Sequence, residues 1–351
     1  RNNMLDTDRV IRISEVVIKI LYRRFDNFPE DANRNRNAPF HKAFLNAFSD
    51  KLEDFVTNIP YFISLSSWLH GLNTTLGQTF FESVSHILSD GSKREYTSKR
   101  SGNLLISQYQ KQLISEIITD LSNGNEKPNL EKENRFLFNN KGVADTDSLG
   151  FSADVFIEEE DEIIAIELKA VHPNSGEVRG EKQKILEGKA ALSRLFPDKE
   201  IKFFIGFPFD PTSEGRDTEY NKKRFMSSII NMDKFFDAEE VLLSSELWDY
   251  LSGEKNTMEQ ILSIINSIAT TEFMEIYEYI NNNDNRNTDK YQQYLRTWNM
   301  NRELFLVNNF SKIKEQLDSK YKRIYNQPVF KNGEYNLNRF ITLSNLIREV
   351  M

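Results

Sequence analysis

Between Arg9 and Phe25 apolar residues return at helical spacing, with Val10, Ile13, Val17 and Ile20 on one stripe, which predicts an amphipathic helix. The Asn- and Arg-rich stretch DANRNRNAP that follows reads as a loop, and FHKAFLNAFSDKLEDFV as a second amphipathic helix. Beyond Pro60, SLSSWLHGLNTTLGQTFFESVSHIL predicts one or two helices, with Gly71 and Gly77 as the places to break. SDGSKREYTSKR reads as a basic loop, and ISQYQKQLISEIITDL as a helix that stops at the turn-rich SNGNEKPN.

The pattern then changes. ADVFIEE, EIIAIELKAV and IKFFIGFPF are short β-branched or aromatic runs bounded by polar residues, as buried strands are. The helix-like GEKQKILEGKAALSRLF separates the second from the third, so strand, helix and strand form a parallel crossover. From about Asp233 the spacing is helical again, through TMEQILSIINSIATTEFMEIYEYI, a polar break at NNNDNRNTDK and a final helical tail. The expected fold is α/β: a mixed central sheet flanked by helices, with helical N- and C-terminal additions. The division this suggests is 1–70 helical, 71–232 core and 233–351 mostly helical.

Chemistry concentrates in SADVFIEEEDEIIAIELKAV. Alternation along a strand puts Glu167 and Lys169 on one face, with Ile164, Ile166 and Leu168 on the other. The run Ile163–Ile166 is apolar on both faces, which marks a strand covered on both sides. Two charges at the end of such a strand are costly unless they are paired or bind something. The short EEEDE turn folds this strand back on its predecessor and brings Asp154 alongside Glu167. Two carboxylates with a strand carbonyl, that of Leu168, suit Mg²⁺, and a neighbouring lysine orients water and stabilises charge on a phosphate. The plainer alternative is a surface ion pair beside a turn aspartate. Asp145 and Asp147, just upstream, read as ordinary turn chemistry.

Composition narrows the field. The chain has 351 residues, no cysteine and only four histidines, His41, His70, His86 and His172, without metal-ligand spacing. Disulfides and thiolate-bound zinc are thereby excluded. The net charge of −8 speaks mildly against nucleic acid, but phosphate contacts need only a local basic face. The sequence starts at Arg1 rather than Met, shows no signal peptide and has no apolar run of membrane-spanning length, so the expectation is a soluble, cytoplasmic prokaryotic protein.

The set Ala153-Asp154, spacer, Glu167-Leu168-Lys169 resembles the PD-(D/E)XK nuclease superfamily, with Ala153 in the place of the motif's proline. The longer string ELKAVHPNSGEVRGEKQKILEGKAAL is similar to Type II restriction endonucleases of the TdeIII group. The resemblance implies Mg²⁺-dependent double-strand DNA cleavage leaving 5′-phosphates, by a homodimer acting on a palindrome of the GGNCC kind. It also implies catalytic roles for Asp154, Glu167 and Lys169, and an assisting acid on a preceding helix, for which Glu82 is the candidate. Glu181 reads either as a second-metal residue or, preferably, as an acid at a helix start. Base contacts are expected from Asn174, Glu177, Arg179, Lys182 and Lys184 in the segment leaving the site, and phosphate contacts from Lys93, Arg94, Lys99 and Arg100. The rival readings are a repair or structure-specific nuclease on the same core, and an inactive DNA-binding scaffold.

Overall fold

The computed structural model describes residues 4–29, 39–53, 58–170 and 173–350; most of the expected linker after residue 30, and His172, lie outside them. The chain divides into two units, one built on Phe81–Gln260 and the other on Asp6–Phe80 with Ile261–Met351. The sequence reading cut the core at 71 and 232 and kept the flanks apart. Instead the two flanks share one unit, and residues 233–260 belong with the sheet because they supply it with a strand and a covering helix.

The first unit is organised by five strands: β1 (Ser92–Tyr96), β2 (Phe151–Glu158), β3 (Glu162–Leu168), β4 (Glu200–Phe207) and β5 (Val241–Leu243). They lie side by side in chain order. β1, β2 and β3 are antiparallel, whereas β3, β4 and β5 are parallel. The doubly apolar Ile163–Ile166 is thus the centre of a mixed sheet, as its pattern predicts. The first two helices of the unit are α1 (Phe81–Ser89) and α2 (Gln108–Asn123). Then come α3 (Leu130–Leu137), α4 (Ser175–Leu195), α5 (Lys222–Ser228), α6 (Met232–Phe235) and α7 (Ser245–Ser252).

α4 is the crossover between β3 and β4. Its Val178, Ile185 and Leu192 pack with Phe156, Ile163, Ala165, Phe203 and Ile205 of the sheet, and with Phe225, Met232 and Phe235 of α5 and α6. On the opposite face, Gly206 leaves room for Ile166, Leu168 and Leu247 of α7; a Cβ there would come within 3.0 Å of Ile166. α1 packs on this assembly against β2 and α7.

Several expectations need correction. SKREY is not a loop but the edge strand β1, because Tyr96 is buried against Phe151 and Phe156. Its charged exposed positions hid the strand. β5, with only three residues, is too short to show a period. In the second unit, Gly71 does not break its helix, Ile59–Thr75. It makes room for the Arg24 guanidinium, whose Nη1 would lie 3.0 Å from a Cβ at this position. FHKAFLNAFSDKLEDFV is not one helix but the short pieces Pro39–Leu45, Asn46–Phe48 and Ser49–Leu52, with 54–57 outside the described residues.

The N-terminal helix, Thr7–Asp26, buries Ile13, Val17, Ile18 and Ile20 and is capped by the Asp6 carboxylate on Arg9 N–H. Tyr291 and Trp298 are core residues here, and Arg339 and Glu303 form a buried two-point ion pair at 2.7 and 2.8 Å. No described helix is long and apolar enough to cross a membrane.

Candidate active site

The hairpin register pairs Val155 with Ile166, so Asp154 stands across from Glu167 at the end of β3. One Asp154 oxygen, Oδ2, accepts the Leu168 N–H at 2.7 Å, tying the two strand ends together. β2 is irregular at this point: between its pairings with Arg94 and Ser92, it advances from Ala153 to Phe156. Phe151, Ala153 and Phe156 all join one core cluster, which strict alternation forbids. The extra residue is a β-bulge, which disturbs the ladder and leaves a backbone group to be satisfied elsewhere. The His86 Nε2–H of α1 donates to the Asp154 carbonyl at 2.7 Å.

α4 brings the second half of the site. Asn174 and Glu177 form a reciprocal capping box that fixes where the helix begins. Glu181 and Lys184, one turn apart, then meet Glu167 and Lys169 in a closed ring of alternating charge. Lys169 Nζ is 3.5 Å from Glu167 Oε1 and 3.2 Å from Glu181 Oε1. Lys184 Nζ is 3.1 Å from Glu181 Oε1 and 3.8 Å from Glu167 Oε1. Both lysines use the same oxygen of each glutamate. The other oxygens, Glu167 Oε2 and Glu181 Oε2, are buried and have no hydrogen-bond partner.

Burial and the nearby Glu181 carboxylate raise the Glu167 pKa above the ordinary glutamate value, against the pull of Lys184 and Lys169. At Lys169 burial works to lower the pKa, but Glu181 and Glu167 outweigh it, so the ammonium is held above its usual range. Glu82 on α1 is raised by burial and by Asp154, with Lys93 opposing at 3.9 Å.

Among the described residues no three His, Asp or Glu side chains converge closely enough to enclose a metal ion. A magnesium ion does not require that, since it keeps several waters and takes one or two carboxylates. The oxygen-only donors and the two orphaned, buried glutamate oxygens fit such a cation. An uncompensated buried carboxylate oxygen is costly, and a hard cation with its water offsets that cost.

Asp154, Glu167 and Lys169 therefore come together, with Glu82 close enough to Asp154 to feel its charge. Glu181 is corrected: it lies two turns into α4 rather than at its start, where the acid is Glu177, and it belongs to the charge ring. Lys184 likewise is engaged with Glu181 and Glu167 and not offered outward to bases. Lys182 cannot contact DNA. It is fully buried, bonded to Glu133 at 2.6 Å and to Glu240 at 2.8 and 2.9 Å. Asn174, Glu177 and Arg179 are exposed on the first turns of α4, so this segment is a helix start and not a free loop.

Of the other basic candidates, Lys93 pairs with Glu82 and Glu95, and Arg94 with Glu158 while stacking over Phe156. Lys99 and Arg100 are exposed in the turn after β1, Arg100 reaching Glu95 at 3.4 Å. Sequence alone points Lys184 toward bases and Glu181 toward a helix start, whereas both stand in the charge ring. The signal was their spacing, since Val178, Glu181 and Ile185 follow one helical stripe.

Comparison with known proteins gives the chain's family. The family described as "HinfI: Type II restriction endonuclease, HinfI" matches residues 8–269. The chain is also similar to the Type II restriction enzyme MjaII of Methanocaldococcus jannaschii, with 41% identity over 373 aligned positions covering 99% of each protein.

Proposed function

Because this chain belongs to the HinfI family of Type II restriction endonucleases and is thus a site-specific deoxyribonuclease, we propose that it cuts both DNA strands with magnesium at the site formed by Asp154, Glu167 and Lys169. The observation that carries the reading is the juxtaposition of Asp154 with a buried glutamate whose second oxygen has no partner, beside a lysine held as an ammonium. Asp154 and Glu167, with the Leu168 carbonyl, are the groups that would hold the ion. When bound, magnesium polarises the phosphate and lowers the pKa of a coordinated water.

The protein's own groups do the rest. Lys169 orients the attacking water and stabilises charge on the phosphate oxygens, in surroundings that strengthen such contacts. Glu82 supports the Asp154 end of the site. Asn174, Glu177 and Arg179 are the candidate base readers, and Arg94, Lys93, Lys99 and Arg100 the candidate phosphate contacts. The products carry 5′-phosphates, the target is a short palindrome of the GGNCC kind implied by the sequence resemblance, and a homodimer matches the two-fold symmetry of such a site. The family favours restriction over a repair or structure-specific nuclease.

Digestion of sequenced DNA with Mg²⁺, followed by end mapping, tests all of this together. Discrete bands with 5′-phosphate ends at one palindrome are expected. A junction-dependent cut, or equal cleavage in EDTA, would overturn the reading. Asp154→Ala and Lys169→Ala are expected to abolish cutting while retaining DNA binding; a variant cutting at near wild-type rate would remove its residue from the site.

A further inference from the structure

We propose that Glu181 and Lys184 are positioning residues for DNA cleavage, acting through Lys169 and Glu167. The inference rests on the active-site reading above and adds to it the half of the site that α4 supplies. Four ion pairs of 3.1 to 3.8 Å close a ring in which each lysine touches both glutamates. An isolated Glu167–Lys169 pair on one strand would leave the ammonium free to swing about a single partner. Glu181 approaches Lys169 from a different element, and at 3.2 Å it is the nearer of its two carboxylate partners.

Lys184 is needed for electrostatic reasons. Glu167 and Glu181 are mostly buried, with side-chain exposures of 13% and 11%, and both turn the same oxygen, Oε1, toward the two lysines. Lys169 alone cannot balance two carboxylates. With Lys184 present two lysines face two glutamates, and each glutamate keeps one buried oxygen without a hydrogen-bond partner. The helix thus sets the strand's groups by charge while leaving one oxygen of each glutamate without a hydrogen-bond partner.

Such an arrangement differs from a merely structural salt bridge in what it moves. The test measures single-turnover cleavage with saturating Mg²⁺, DNA affinity with Ca²⁺ in place of Mg²⁺, and thermal unfolding. It compares wild type with Glu181→Gln, Lys184→Met, Lys184→Arg, Lys169→Met and the double variant Glu181→Gln/Lys169→Met. Misplacing a reacting group by about an ångström costs on the order of 100-fold in rate. Glu181→Gln and Lys184→Met are therefore expected to slow cleavage by about that factor, with DNA affinity within about threefold of wild type, while Lys184→Arg recovers most of the rate.

In the Lys169→Met background, the slow residual cleavage read over long incubation is expected to fall little further with Glu181→Gln, because its effect passes through the lysine. A full additional loss there would overturn the inference. So would wild-type cleavage by Glu181→Gln and Lys184→Met while Lys169→Met is inactive. If Lys169→Met itself cut normally, the active-site reading would fall first. Should Glu181→Gln not fold, the contrast between Lys184→Met and Lys184→Arg decides the same question: equal rates for the two overturn it.

Discussion

Asp154 holds the backbone N–H of Leu168 at 2.7 Å, so an acid of the candidate site also joins the ends of two strands. Charge and architecture can be separated there by substitution. Asp154→Asn keeps an acceptor for that N–H and is expected to unfold within a few degrees of wild type, yet to lose cleavage. Asp154→Ala loses both and leaves a partly buried donor unsatisfied, at a cost of about 1–3 kcal/mol. Thermal denaturation beside a plasmid digest distinguishes the two effects. Equal stability of the alanine and asparagine variants would show that the hydrogen bond carries no weight.

Lys182 should behave as a core residue. Lys182→Ala strands Glu133 and Glu240 in a dry interior, and breaking a buried pair in this way costs about 3–5 kcal/mol. Urea denaturation measures that loss, while the dependence of DNA affinity on salt should not change. A changed salt slope with an unchanged midpoint would return this lysine to the DNA surface.

The burial of Glu167 makes stability depend on pH with a definite sign. Its folded pKa is raised, so the folded chain keeps a proton at pH values where the unfolded chain has released it. The stabilisation is complete below the ordinary glutamate value and is lost as pH climbs through the raised one. In metal-free buffer, stability is expected to fall as pH rises above the ordinary glutamate value, and less steeply in Glu167→Gln. Denaturation midpoints over a pH series check this. Identical slopes for the two proteins would contradict it.

The exposed cations divide into two expected behaviours. Lys99→Ala should weaken binding to all sequences alike and reduce the salt slope by about 0.9, as one lost phosphate contact does. Arg179→Ala should instead relax discrimination at one base pair, by roughly 1–3 kcal/mol. Binding to the target and to single-base variants over a range of salt reads both. Arg179→Ala acting uniformly on every sequence would make it a phosphate contact.

The framework of the candidate site was legible in the sequence because its strands carry short apolar runs such as Ile163–Ile166. β2, β3 and β4 stand out for that reason, and the short turn fixes Asp154 opposite Glu167. β1 was hidden because it is polar on its outer positions, and β5 because it is only three residues long. The lysines of α4 illustrate a deeper limit. Lys182 and Lys184 look alike in a helical segment, yet one is buried and the other joins the charge ring. What separates them is Glu133 and Glu240, 49 and 58 residues away, which no local pattern reports.

The composition of β1 has a consequence for assembly. It is an outermost strand of the sheet, and its Lys93, Arg94 and Glu95 are partly exposed and joined in ion pairs. Charges along an edge discourage another strand from hydrogen-bonding to it. A second copy of the chain would therefore find that border closed to sheet continuation. A symmetric pair of subunits would have to be joined through other surfaces, and the edge remains a seam that protects the folded enzyme from aggregating strand to strand.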